Sequence, residues 1–410
     1  MDFHYIYTKE QEEFRKEVKD WIDTSVPEAM RRRYREAYGE VTDEQYKFWR
    51  SMAPKLAKKG WLYPTLTKKY GGGGLTAEYD TIIHEEFTSA GVIGGSFTNS
   101  AFFGSLMAWG TEEQKQKFLT PILKGETTGS VCITEPQSGS DAANILSRAV
   151  RDGDDWLITG QKVFIGGLSG PGFLAAPIMT DPDAPRHRNL GFFMIPYPNK
   201  GLTMVRQNLL NGRSHAMFFM DNVRVPGDHL IGGDHQGWQV LGSTLEGEHG
   251  GRGAAATTDQ DVDDLLQYVR EAKRMGETLG SDPLVQQNAI AAYNDAHIKT
   301  LFQKRMYWMH QSHMEMSYHG SQMRLFEKDY RLTNSVRGRD IMGPYSLLRS
   351  EDPYAPMKGQ PEKMQRGSLV LQHPGGAVEV QKVIIARRIG ISRTQDRAAP
   401  TRSPAGASAT

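Results

Sequence analysis

The chain has 410 residues, 49 of them basic and 48 acidic, for a net charge of +1. That balance leaves no broad electrostatic footprint for nucleic acid. A single cysteine excludes an intramolecular disulfide framework and a Cys-rich metal site, and fits a reducing compartment.

The length allows two or three domains with ample core. The first ten residues, M-D-F-H-Y-I-Y-T-K-E, lack a signal-peptide layout, and no apolar run approaches the ~20 residues of a membrane span. A soluble, cytoplasmic protein is expected. Residues 1–125 are expected to be helical. Thr8 to Gln11 forms a capping box, and Phe14, Val18, Trp21, Ile22 and Val26 recur at helical spacing. A charged stretch follows from Arg31 to Glu44. Trp49, Met52 and Leu56 mark a second helix, and Ile82 to Phe87 begins another. Gly71 to Gly74 has no apolar strand before it, so it reads as a turn and not as a phosphate loop. Ser96 to Gly110 is apolar and aromatic, and Thr111 to Gln114 is a second capping box.

Residues 126–237 alternate strand-like runs with turns, as in Phe192 to Ile195, Leu202 to Val205 and Met217 to Met220. A small β-barrel or sandwich is expected there. From Trp238 the pattern is helical again to 394, and the Arg/Ala/Pro/Ser tail, 395–410, has too little to bury and is expected to be disordered. His310 and His313 have metal-compatible spacing but no recognisable third ligand, so no metal site is assigned. Cys132 lies in an apolar run and reads as a small buried hydrophobe.

Two stretches organise the middle segment. Ser130 to Asp141, S-V-C-I-T-E-P-Q-S-G-S-D, runs from a strand into a loop of hydroxyls and bare N–H groups, the donors that a phosphate or a flavin edge needs. Asp152 to Gly167 holds a D-G turn, a strand through Trp156 to Ile158, and G-Q-K-V-F-I. Together, I-T-E-P-x-x-G-S-D and G-x-K-x-x-I resemble the flavin-binding middle domain of the acyl-CoA dehydrogenases. Asp221 to Pro226 is similar to the D-x-V-x-V-P run that closes that domain. The resemblance extends from about Tyr7 to Ile391. It implies an α+β multidomain fold: an N-terminal helical domain, a middle β domain and a C-terminal four-helix bundle. It also implies FAD, an acyl-CoA substrate and an electron-transferring flavoprotein as acceptor. The assembly would be a homo-dimer, a homo-tetramer or a pairing with a second family member.

The reaction so implied removes an α-proton and a hydride from an acyl-CoA thioester. Many members carry the base near the C-terminus, but alignment on Glu379-Val380-Gln381-Lys382 puts Gly375 there. Other members take the base from the first C-terminal helix, and Glu248 in Leu245-Glu246-Gly247-Glu248-His249 matches that position. His249 stands where Arg is usual, and Arg252 comes three residues later. By the same resemblance Gly375 N–H holds the thioester carbonyl. Ile133 and Thr134 meet the flavin edge, Phe164 its face, and Ser140 the phosphates or CoA. Gly166 offers backbone only where Thr is common, and Glu379 lies near the dinucleotide. Phe102 and Phe103 border the acyl pocket, unless they are simple core. The Gly250-Gly251 and Gly375-Gly376 pairs suggest room for a bulky acyl group. The FAD-gripping segments of a neighbouring subunit match poorly at Arg274 to Thr278 and at Arg339 to Pro344. Alternatives are a non-catalytic partner subunit, a flavin oxidase, or an acyl-carrier-protein dehydrogenase.

Overall fold

The computed structural model describes residues 6–31, 43–92, 102–166, 171–249, 259–312, 314 and 316–392, with the backbone alone at 43, 246–249, 310 and 311. Most of the charged stretch after Arg31, the start of the 96–110 segment, His313 and the tail expected to be disordered lie outside them.

Helix α1 (Lys9–Ser25) starts at the expected capping box. The Thr8 hydroxyl accepts from Gln11 N–H, and the Gln11 side chain accepts from Thr8 N–H. Its apolar face, Val18 and Ile22, packs with Trp49, Met52 and Leu56 of α2 (Asp43–Lys59) and Ile83 and Phe87 of α3 (Ala77–Ser89). The four-glycine run between α2 and α3 is a turn. Its four N–H groups donate to carbonyls of Tyr63, Leu66, Thr67 and Lys68, which leaves none for a phosphate. Helix α4 (Phe103–Trp109) leads to the second capping box, Thr111 with Gln114. From there α5 (Glu112–Gln114), a π turn (Lys115–Leu119) and α6 (Thr120–Leu123) bury Phe118, Leu119, Ile122 and Leu123.

The middle segment is sheet-rich. Its strands are β1 (Gly129–Val131), β2 (Arg148–Asp152), β3 (Asp155–Ile165), β4 (Phe173–Met179), β5 (Leu190–Pro196), β6 (Leu202–Asn208), β7 (Ser214–Val225) and β8 (Leu230–Ile231). Their order is β6-β7-β3-β2-β4-β5-β8, with β1 beside β4 in parallel. The D-G turn joins β2 to β3 through two residues, with Gly153 at φ +63°, a conformation glycine adopts without a Cβ clash. Alternate residues Trp156 and Ile158 of β3, with Phe193, Phe218 and Val223, form the core.

The remaining helices are α7 (Gly237–His249), α8 (Gln260–Glu271), α9 (Pro283–Gln311), α10 (His319–Met342), α11 (Gln360–Val370) and α12 (Val378–Arg388). A short hairpin, β9 (Lys273–Arg274) with β10 (Glu277–Thr278), separates α8 from α9. Helix α10 packs against α9, α11 and α12, and α8 packs against α9. Among the described residues no helix is long and apolar enough to cross a membrane.

Candidate active site

Two segments 27 residues apart in sequence are joined by a buried ion pair. Lys162 shares its strand face with Trp156 and Ile158, so β3 turns it inward, where its side chain is 1% exposed. Its ammonium lies 2.8 Å from Glu135 Oε1 and also donates to Pro177 O at 2.8 Å and Ile133 O at 3.3 Å. Glu135 accepts further from the N–H groups of Leu146 and Ser147, at 2.8 and 3.1 Å. Burial pushes the Glu135 carboxyl up, but Lys162 and these donors outweigh it, and the group ends below the usual carboxylate range. Val163 N–H donates to Thr134 O at 2.9 Å. The Ile133–Thr134 segment is thereby held alongside the end of β3.

At that end the pairing of β3 with β7 slips by one residue between Lys162 and Ile165. Phe164 occupies the bulge at φ +59°, with 53% of its surface exposed. A left-handed backbone at a bulky residue costs on the order of 1–2 kcal/mol, and an exposed ring recovers little of that through burial. Gly166 is exposed, and a Cβ there would meet no atom of the described residues within 4 Å. Ile133 and Thr134 are half-buried, and their N–H groups find no acceptor among the described residues. Ser140 is exposed on the adjoining loop, where Ser138 Oγ donates to Asp141 O at 2.7 Å. Cys132, just before the loop, is fully buried, and burial pushes its thiol up to about 12.

Glu248 and His249 fall in the last described turn of α7, backbone only; Arg252 lies outside the described residues. Helix α7 is fastened to α4: Ser105 Oγ donates to Val240 O at 2.7 Å, and Trp109 Nε1 to Ser243 Oγ at 3.1 Å. Phe102 and Phe103 are buried between them and the sheet, edge to face with each other at 5.0 Å, and the Phe102 ring lies against Gly129 where no Cβ would fit.

Gly375 and Gly376 form the turn into α12, at φ +65° and +83°, and Glu379 is exposed in the first turn of that helix. Neither glycine N–H finds an acceptor among the described residues. Their carbonyls are engaged: Gln381 Nε2 donates to Gly375 O at 2.8 Å and, more weakly, to Gly376 O at 3.4 Å. The two poorly matching segments meet, with Arg274 donating to Ile341 O at 2.6 Å.

The structure thus brings Ile133, Thr134, Phe164 and Gly166 together and sets Gly375 in the bend before α12 and Glu379 in the first turn of that helix. The Glu135–Lys162 pair escaped sequence reasoning. Its signal was the parity of β3, which puts a lysine on the face of Trp156 and Ile158 and so demands a buried acceptor.

Three family models match in order: acyl-CoA dehydrogenase N-terminal domain at residues 8–126, middle domain at 130–223 and C-terminal domain at 235–390. Acyl-CoA dehydrogenase FadE26 of Mycobacterium tuberculosis is 27% identical over 92% of this chain and 96% of its own length. The ChsE4–ChsE5 complex of the same organism has a chain 26% identical with a TM-score of 0.80, covering 96% of this chain and 100% of that one. The Tcur3481–Tcur3483 steroid ACAD has a chain 25% identical with a TM-score of 0.79, covering 97% and 100%. The chain belongs to the acyl-CoA dehydrogenase family, a family of flavin-dependent oxidoreductases.

Proposed function

We propose that this chain is an FAD-dependent acyl-CoA dehydrogenase that desaturates the Cα–Cβ bond of a bulky acyl-CoA thioester, with Glu248 as the base. The observation that carries the reading is the platform at the end of β3, where a strained, exposed Phe164 stands beside two free N–H groups and the open space at Gly166. Strain of that kind persists where the surroundings enforce it, and it clusters at ligand sites. The residues fit a flat group with a polar edge. Phe164 would pack on its face, Ile133 and Thr134 would donate to its edge, and any side chain at Gly166 would fill its space. Ser140 would meet the phosphates or CoA, and Glu379 the dinucleotide. When bound, the flavin supplies the hydride acceptor.

The chain's own part is proton abstraction. The Glu248 carboxylate takes the Cα proton, and the bonding pair moves toward the thioester oxygen. Desolvation by a closed-in acyl chain raises the pKa of such a carboxyl toward that of a useful base. Gly375 N–H holds the oxygen that gains charge; one preorganised donor of this type is worth about 10²- to 10³-fold in rate. Phe102 and Phe103 would back the acyl pocket through α7, and His249 and Arg252 would meet the thioester or CoA.

Room for a bulky acyl group is supported by the glycines at 250–251 and 375–376, and by likeness to the Tcur3481–Tcur3483 steroid ACAD. An electron-transferring flavoprotein would take the electrons. The assembly would be homomeric or paired with a second family member, and likeness to a chain of the ChsE4–ChsE5 complex favours pairing.

Glu248→Gln tests the reading. The variant is expected to bind acyl-CoA normally and to lose about 10²- to 10⁴-fold in the rate of flavin reduction. Undiminished reduction in the assembled protein would assign the base elsewhere and favour a non-catalytic subunit.

A further inference from the structure

Lys328 lies on α10, with 6% of its surface exposed and no carboxylate in ion-pair contact among the described residues. The neighbouring Glu327 is engaged by Arg331 at 2.8 Å. Burial pushes the Lys328 ammonium pKa down, the Arg324 charge adds to that, and Glu327 opposes it. A buried ammonium without a counter-ion is costly, and a Leu or Met would fill the same volume without that cost. What Lys328 holds instead is the segment leading to the glycine turn. Its ammonium donates to Leu371 O at 2.7 Å and to Pro374 O at 2.8 Å. Gln372 Nε2 fastens the same segment in return, donating to Lys328 O at 3.1 Å.

Pro374 O and Gly375 N–H belong to one peptide unit, and a trans peptide aims them in opposite directions. An ammonium on the carbonyl therefore turns the Gly375 N–H away from α10. It also draws electron density toward the oxygen and makes that N–H a stronger donor, the polarisation seen along hydrogen-bond chains. Gln381, fully buried, does the same without charge for the next unit, through Gly375 O. Both residues stand at positive φ, +65° and +83°, a backbone that glycine adopts without a Cβ clash.

We propose that Lys328 is a positioning residue for proton abstraction: through Pro374 O it orients and polarises the Gly375 N–H that receives the charge developing on the thioester oxygen. This rests on the reading of Gly375 and Glu248 given above. In the step concerned the Cα–H bond breaks, the proton goes to the Glu248 carboxylate, and the electron pair is delocalised onto the oxygen held by Gly375.

The test isolates that step. Flavin-loaded protein is incubated in D₂O with 3-thiaoctanoyl-CoA, or with the 3-thia analogue of a steroid propionyl-CoA. Sulfur at position 3 prevents hydride loss, so deuterium uptake at Cα, read by mass spectrometry, reports proton abstraction alone. Lys328→Met is expected to slow exchange about 10- to 100-fold, with flavin content and analogue Kd unchanged. Lys328→Arg restores most of the rate, and Lys328→Gln, which keeps a donor without charge, falls between. If Lys328→Met does not fold, the Gln and Arg variants carry the comparison. Exchange at the wild-type rate in Met or Gln, or equal slowing in Gln and Arg, overturns the proposal and leaves the functional reading intact. No exchange by the wild-type protein with either analogue overturns the functional reading itself.

Discussion

At the scale of single residues, Phe164 carries the conflict between stability and use. Its left-handed backbone and exposed ring make it a net cost to the apo chain. Phe164→Gly is therefore expected to leave stability unchanged or raise it by up to ~1 kcal/mol, because glycine relieves the φ strain against a loss of chain entropy. The same variant is expected to weaken FAD retention, read as the flavin-to-protein absorbance ratio after gel filtration. A variant that is markedly less stable and equally yellow would assign the ring a packing role. The G-x-K-x-x-I pattern singled out Phe164 as an aromatic at a strand edge, but its bulge was not legible. A one-residue slip depends on how β3 and β7 pair across the sheet, which no local pattern records. Lys328 was illegible for a similar reason: on α10 it looks like any helix lysine until α11 and the glycine turn close over it.

At the scale of elements, the Glu135–Lys162 pair couples the loop after β1 to β3 and β4. Removing one partner strands the other charge in a dry site. Lys162→Met is expected to cost about 3–5 kcal/mol in urea unfolding, and Glu135→Leu added to it to recover part of that loss. A single-variant cost near that of a surface pair, under ~1 kcal/mol, would contradict the coupling. The sign with pH follows from the carboxyl. Its folded pKa lies below the ordinary 4.5, so its contribution is full above that value and is lost as pH falls through the folded pKa. Glu135→Gln is expected to flatten the acid limb of the stability curve. The capping boxes at Thr8 and Thr111 were readable in full, because each closes within four residues, and the glycine turn at 71–74 was readable as a turn, though its N–H groups reach back as far as Tyr63. The π turn before α6 was not signalled by spacing.

At the scale of the whole molecule, three segments with different periodicity became a helical, a sheet-rich and a second helical region, joined where α4 and α7 meet over β5. The order of segments was legible because apolar period changes from 3.6 to 2 and back. How the segments share a site was not, since the contacts that fix it, such as Ser105 with Val240, span 135 residues. In the proposed function Gly375 leaves no side chain to act as base, and the carboxylate is sought on α7 instead. The most direct measurement is the visible spectrum of the purified, flavin-loaded protein, titrated anaerobically with straight-chain, branched and steroid acyl-CoAs. The account predicts that a bulky thioester bleaches the flavin and that Glu248→Gln abolishes the bleaching while still perturbing the spectrum on binding. A protein that stays colourless with added FAD, or a flavin that none of these thioesters reduces, would contradict it.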